Sequence, residues 1–287
     1  MVKRTPKEYL KEFNSSFVKV QGHQIHYIDE GSGDPVLFIH GNPTYSYIWR
    51  NIIPSLSKHA RCIAPDLIGM GNSDKPQLKY DFADHYKYIS SFIKKLQLTD
   101  ITLVLHDWGS AIGFFYAMNN PKEIKAIAFM ESIIKPWRWN DLKWNHRIGF
   151  HLLRAPLLGE LLIYGLNTFI SVFLPQLTYR RLKKNVLQAY KAPFRKIRTR
   201  KPMLQWPRQI PINRKPQKTY EIVQKYNNFL QNTDIPKLLI YSSPGAIIQD
   251  KDVSWCMKHL KNTETYYLGK GYHFLQEDYP DKIAEII

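Results

Sequence analysis

The segment LHDWGS, Leu105 to Ser110, follows a short apolar run, ITLV, and precedes a helix-like stretch, AIGFFYAM. Asp107 therefore stands between a buried strand and a buried helix. An ionised carboxylate in such surroundings costs several kcal/mol unless it is paired or hydrogen-bonded. Strand, sharp turn and helix are the setting of a nucleophile elbow. The strict G-x-Ser-x-G form is not met: Leu105 takes the first glycine position, Asp107 the serine position, and Gly109 the last. The helix N-terminus behind the turn favours an anion by roughly 0.3–1 kcal/mol. A carboxylate nucleophile also needs no base for its first attack. The simpler alternative is an aspartate that caps the following helix.

Three other segments bear on that choice. HGNPTYSYIWR, His40 to Arg50, follows a strand run and offers Asn42, whose amide carries two N–H donors. Trp108 offers an indole N–H and no acceptor. Donors beside an apolar wall suit a large, weakly hydrated anion such as a departing chloride or bromide. Taken singly, Asn42 also reads as a turn residue before Pro43, and Trp108 as core. His273, in GYHFLQEDYPDKI, follows the last strand run and completes the chain order nucleophile, acid, histidine. For the acid, Glu131 in FMESIIKPW lies at the carboxyl end of a strand run. Asp250 and Asp252 in GAIIQDKD are the alternatives, and the strand-end position favours Glu131.

The elements that must position these residues alternate. FVKVQG and QIHYIDE read as a hairpin turning near Gly22 and His23. Nearly continuous apolar runs follow at 35–40, 62–66, 101–106, 126–130, 237–242 and 265–269, as expected of parallel strands buried on both faces. Helical patterns are expected at 47–56, 84–98 and 111–118. Strand and helix in alternation predict an α/β fold with helices on both sheet faces. Between about Ile134 and Ile212 the alternation stops. That stretch reads as helical, with 150–166 its most apolar part, and is placed to roof the carboxyl edge of the sheet, where open α/β sheets bind ligands. The expected division is a core of 1–133 and 213–287 with an inserted cap of 134–212.

Composition narrows the class. The chain has 287 residues, 44% of them hydrophobic, and a net charge of +17. That charge could attract nucleic acid or an anionic membrane, but no nucleic-acid motif or basic helix interleaved with aromatics is present, and a solvated basic surface is the simpler expectation. Cys62 and Cys256 form no disulfide framework, and no Cys/His spacing reads as a metal site. No apolar run approaches the ~20 residues that a transmembrane helix needs. The N-terminal MVKRTPKEYLKEF lacks the apolar core of a signal peptide. A cytoplasmic protein, monomeric or weakly self-associating, is expected.

HGNPT with Tyr47 and Trp49, HDWGSA, AFMES and YHFLQEDYPDKI resemble the haloalkane dehalogenases of the α/β-hydrolase superfamily. ARCIAPDLIGMGNSDKP, DHYKY, NTFISVFLP and WPRQIPI extend the resemblance over nearly the whole chain. It implies an eight-stranded, mostly parallel sheet with a helical cap, and a hydrolase acting on small apolar haloalkanes without metal, flavin or nicotinamide. In those terms Asp107 is the nucleophile, His273 the base and Glu131 its partner. Asn42 and Trp108 hold the halide, and their backbone N–H groups form the oxyanion hole. Phe150, Phe169, Phe173, Ile247 and Leu275 match or lie near pocket-lining positions. The product is a primary or secondary alcohol, with halide and a proton, reached through an alkyl ester on the aspartate. Two features depart from the family pattern: the chain stops soon after its last helix begins, and KAPFRKIRTRK is unusually basic.

Related enzymes supply the rival readings. Epoxide hydrolases share HDWG but activate the epoxide through tyrosine hydroxyls, for which Tyr164, Tyr179 and Tyr190 are available. DLIGMG, DHYKY and LQWPRQIPI are also similar to coelenterazine luciferases, which keep a dehalogenase-like site. A non-catalytic small-molecule receptor on the same fold is the third alternative.

Overall fold

The computed structural model describes residues 13–287, so the N-terminal segment lies outside the described residues. Eight strands form one sheet: β1 (Ser15–Val20), β2 (His23–Glu30), β3 (Pro35–Ile39), β4 (Arg61–Pro65), β5 (Ile101–Asp107), β6 (Ile124–Ser132), β7 (Lys237–Pro244) and β8 (Thr263–Gly271). Their order is β1-β2-β4-β3-β5-β6-β7-β8. The β1·β2 and β2·β4 pairs are antiparallel. The other pairs are parallel. Every apolar run of the sequence falls on one of these strands. The central β3 and β5 are almost wholly buried, which is why they show no polar alternation.

The helices of seven residues or more are α1 (Phe82–Lys95), α2 (Trp108–Asn119), α3 (Trp144–Arg154), α4 (Lys184–Lys191), α5 (Lys201–Gln209), α6 (Gln217–Asn232), α7 (Asp250–His259) and α8 (Pro280–Ile286). Asp81 starts α1 by accepting the Asp84 N–H at 3.0 Å. The helix then buries Phe82, His85, Tyr88, Ile89, Phe92 and Ile93 along one stripe. α2 is buried on nearly every side and runs beneath the sheet centre. Two of its glycines are required by close approach. A β-carbon on Gly109 would collide with the Ile39 carbonyl, and one on Gly113 with the Leu105 side chain. Gly113 thus gives room to Leu105, which stands at the first glycine position of the elbow motif.

Two helical expectations are corrected. Residues 47–56 are not one helix but a 3₁₀ turn, Ser46–Trp49, and a short turn, Ile53–Leu56. Pro54 has no N–H to donate to the Arg50 carbonyl, so a continuous helix breaks there. Residues 150–166 divide likewise. α3 stops at Arg154, Pro156 intervenes, and Leu157 has φ of +62°. Short helical turns follow at Leu158–Glu160, Leu161–Gly165 and Phe169–Phe173. The two ends of the 134–212 stretch meet: the Trp137 N–H donates to Pro211 O at 3.1 Å, and the Asn213 N–H to Trp137 O at 2.9 Å.

Candidate active site

β5 delivers Asp107 to the start of α2 with φ of +50° and ψ of −127°. Non-glycine residues avoid positive φ, and the strained turn lifts the side chain above the sheet. Asp107 occupies the N-cap position but makes no capping hydrogen bond, which removes the simple cap reading. Its Oδ2 instead accepts the Asn42 backbone N–H at 2.7 Å, and Oδ1 lies 3.9 Å from His273 Nε2. Burial pushes the Asp107 carboxyl above its ordinary pKa. The His273 ring and the Trp108 and Asn42 backbone N–H groups pull against that shift.

Glu131 is the penultimate residue of β6, also at positive φ, +44°. Its carboxylate accepts the backbone N–H groups of Ala246 at 3.1 Å and Ile247 at 2.7 Å through Oε2, and that of Ile248 at 3.4 Å through Oε1. His273 Nδ1 lies 3.2 Å from the same Oε2. The loop carrying the rival acids therefore turns its amides toward Glu131. Asp250 contacts the Ser243 hydroxyl, and Asp252 pairs with Lys135 at 2.9 Å. Asp107, Glu131 and His273 are each buried.

Three side chains that the sequence reading left out support this set. His106 Nε2–H donates to the His273 carbonyl at 2.9 Å, and the two rings lie 4.6 Å apart. Burial holds His106 well below the ordinary histidine pKa, with the His273 charge acting in the same direction. Trp108 stacks on Trp206 at 4.5 Å, and Trp206 on His85 at 4.2 Å. Burial brings the His85 pKa down to about 3, so a neutral ring closes the stack. His106 adjoins Asp107 in HDWG and was visible in principle. Trp206 and His85 are remote in sequence, and only the fold reveals their contact.

A cavity of about 460 Å³ opens over Asp107. Asn42, Trp108, His273, Phe150, Phe169, Phe173 and Ile247 all line it. Its further lining includes Leu142, His146, Leu153 and Gln176, which the sequence did not single out. Leu275 is not among the lining residues. It is fully buried at the start of the Leu275–Asp278 turn, packed toward Gly271, while Phe274 beside it reaches the cavity. Asn42 Oδ1 has no hydrogen-bond partner among the described residues. None of Tyr164, Tyr179 and Tyr190 lines the cavity. The Tyr190 hydroxyl instead donates to Glu277 Oε1 at 2.5 Å, where Arg50 also pairs bidentately at 2.6 and 2.7 Å.

A family model for the alpha/beta hydrolase fold matches residues 34–280. The chain is 41% identical to a haloalkane dehalogenase of Sphingobium indicum over 278 residues, covering 94% of this chain and 93% of that one. It is 41% identical over 264 residues to a haloalkane dehalogenase of Mesorhizobium japonicum, covering 91% and 85%. Its fold superposes on the crystal structure of the haloalkane dehalogenase DbeA from Bradyrhizobium elkani with a TM-score of 0.93, at 37% identity and 96% coverage of each chain. With this sheet, this elbow and these relatives, the chain belongs to the haloalkane dehalogenases, hydrolases of the α/β-hydrolase fold that act on carbon–halide bonds.

Proposed function

We propose that the chain hydrolyses small apolar haloalkanes to alcohol, halide and a proton in two steps centred on Asp107. Asp107 Oδ1 attacks the carbon bearing the halogen in line, and the Asn42 amide and Trp108 indole donate to the departing halide. Donors fixed beforehand where charge develops lower the barrier without reorganisation. In the alkyl ester that results, Oδ2 becomes the carbonyl oxygen, already seated on the Asn42 backbone N–H. His273 Nε2 then takes a proton from water, which attacks the ester carbon. Glu131 fixes the imidazole tautomer through Nδ1 and stabilises the imidazolium. The single observation that carries this reading is the approach of both His273 Nε2 and the Asn42 N–H to one elbow carboxylate.

Phe150, Phe169, Phe173 and Ile247 would hold the alkyl chain. The 134–212 stretch would form the cap, since the Leu177 carbonyl accepts the backbone N–H groups of both His273 and Phe274, at 3.0 and 3.1 Å. No resident cofactor is required. Burial raises the thiols of Cys62 and Cys256 to about 12, and these unpaired cysteines suit a reducing cytoplasm. The same reading makes the chain a monomer or weak homo-oligomer.

The test is halide release from chloro-, bromo- and iodoalkanes of several lengths, alongside an epoxide and coelenterazine. Halide release with little epoxide opening and no light is expected. Light or diol formation without halide release would overturn the proposal.

A further inference from the structure

The net charge is concentrated in one place. Residues 134–212 contain sixteen Lys and Arg against two acids, Asp141 and Glu160, and so carry +14 of the chain's +17. Glu160 is itself paired with Arg208 at 2.8 Å. The same stretch exposes large apolar side chains. Trp144, Ile148 and Leu152 recur every four residues along one face of α3, with Trp144 75% exposed. Leu157 is 84% exposed at its positive φ, and Leu161 follows one short turn later.

Contacts join these pieces. α3 packs against the Leu158–Glu160 turn, which runs directly into Leu161–Gly165. The 3₁₀ turn Ile197–Arg200 packs on Leu161–Gly165, and Arg200 Nη1 donates to the Tyr164 carbonyl. Exposed Lys143, Arg195, Lys196 and Arg198 therefore border exposed leucines and a tryptophan.

We propose that this surface docks on an anionic lipid bilayer, with Trp144, Ile148, Leu152, Leu157 and Leu161 entering the interfacial layer and the bordering cations meeting lipid phosphates. Apolar side chains beside Lys and Arg are the pattern of helices that lie in a membrane interface. Basic groups are attracted to anionic headgroups within a Debye length, about 8 Å at physiological salt. A second copy of the chain fits less well, because it would bring the exposed Lys143, Arg195, Lys196 and Arg198 against the same cations. Among the described residues no single helix is long and apolar enough to cross a membrane; the bent pair Leu158–Gly165 and Phe169–Gln176 is, by length and composition, but it buries Ile163, Ile170 and Leu174 in the fold, so a surface contact fits it better than a span. α3 also turns Phe150 and Leu153 into the cavity, which places the cavity directly behind the docked face. The docking itself does not depend on the proposed reaction.

The experiment is co-sedimentation of the full chain with vesicles of phosphatidylglycerol and phosphatidylcholine, and with phosphatidylcholine alone. Binding to the anionic vesicles is expected, falling by about tenfold or more in the Arg195→Gln/Lys196→Gln/Arg198→Gln variant. Trp144→Ser/Leu157→Ser should weaken binding by about tenfold or more as well. It should also abolish a blue shift of tryptophan emission seen on vesicle addition. Circular dichroism shows whether each variant is folded, and single Trp144→Ser serves if the double variant is not. Three results would overturn the proposal. One is no binding to anionic vesicles. Another is equal binding by the folded apolar variant, which would mean charge adsorption alone. The third is a native dimer, by light scattering, that the apolar variant dissociates.

Discussion

The Asn42 backbone N–H holds Oδ2 of Asp107 at 2.7 Å, leaving Oδ1 as the oxygen that faces His273 Nε2 at 3.9 Å. The two carboxylate oxygens thus have separate surroundings before any substrate arrives. On the proposed mechanism Oδ1 forms the bond to carbon, and Oδ2 carries the charge of the tetrahedral intermediate.

On the proposed mechanism Glu131 acts only in the second step, through His273. Glu131 touches His273 Nδ1 and the 246–248 amides, and it does not line the cavity. Glu131→Gln should leave the first halide release nearly intact and slow ester hydrolysis, by an amount on the order of 10²–10⁴. Rapid-quench measurement should show a full halide burst followed by slow turnover. Loss of the burst itself would place Glu131 in the alkylation step.

The tryptophan stack yields a second expectation. On the proposed mechanism Trp108→Phe removes one halide donor and should slow carbon–halide cleavage by about 10²–10³. Trp206→Leu keeps the donor but removes the ring on which it rests, so halide binding should weaken by a smaller factor. Halide quenching of fluorescence and burst rates read both effects. An unchanged burst in Trp108→Phe would remove the indole from halide stabilisation.

Arg50, Glu277 and Tyr190 form a buried cluster linking the loop after β3, α4 and the segment beyond His273. Glu277→Ala leaves the Arg50 cation buried and without its bidentate partner, and should cost about 3–5 kcal/mol of stability. Urea unfolding checks this. A loss below about 1 kcal/mol would show that water replaces the carboxylate readily.

Two pH dependences follow. Burial raises the Asp107 pKa, so the acid limb of the halide burst should lie above the ordinary carboxylate value, with activity lost as pH falls through it. Stability is dominated by the opposite case. His85 drops from 6.5 unfolded to about 3 folded, so between those values the unfolded chain binds a proton that the folded one does not. The stabilisation is complete above 6.5 and is lost as pH falls toward 3. Burial lowers His40, His106 and His146 in the same direction, whereas raised Asp107 and Asp278 contribute oppositely. The urea midpoint should therefore fall from pH 7 to pH 5, and fall less in His85→Gln. A midpoint that rises on acidification would contradict this.

Much of the sheet was legible because strands buried on both faces leave uninterrupted apolar runs. Asp107 was legible because a charge between two such elements demands a reason. Strand position alone favoured Glu131 over Asp250, and the structure puts the Glu131 carboxylate on the 246–248 amides, 3.2 Å from His273 Nδ1. Between Ile134 and Ile212 legibility falls. Pro156 and the positive φ of Leu157 break a periodicity that otherwise reads as one helix. Leu275 and Phe274 show a related limit: Phe274 meets the cavity while Leu275 packs beside Gly271, and only the turn geometry decides which does which. The Trp108–Trp206–His85 stack joins residues far apart in sequence and leaves no local trace.

The central claim is a covalent bond between Asp107 and the substrate carbon, and the most direct measurement is the intact mass of the His273→Phe variant after exposure to 1-bromobutane. The expected result is one butyl group per chain, mapped to the Asp107 peptide, with a single equivalent of bromide released. An unmodified chain that continues to release bromide, or an adduct on any other residue, would contradict it.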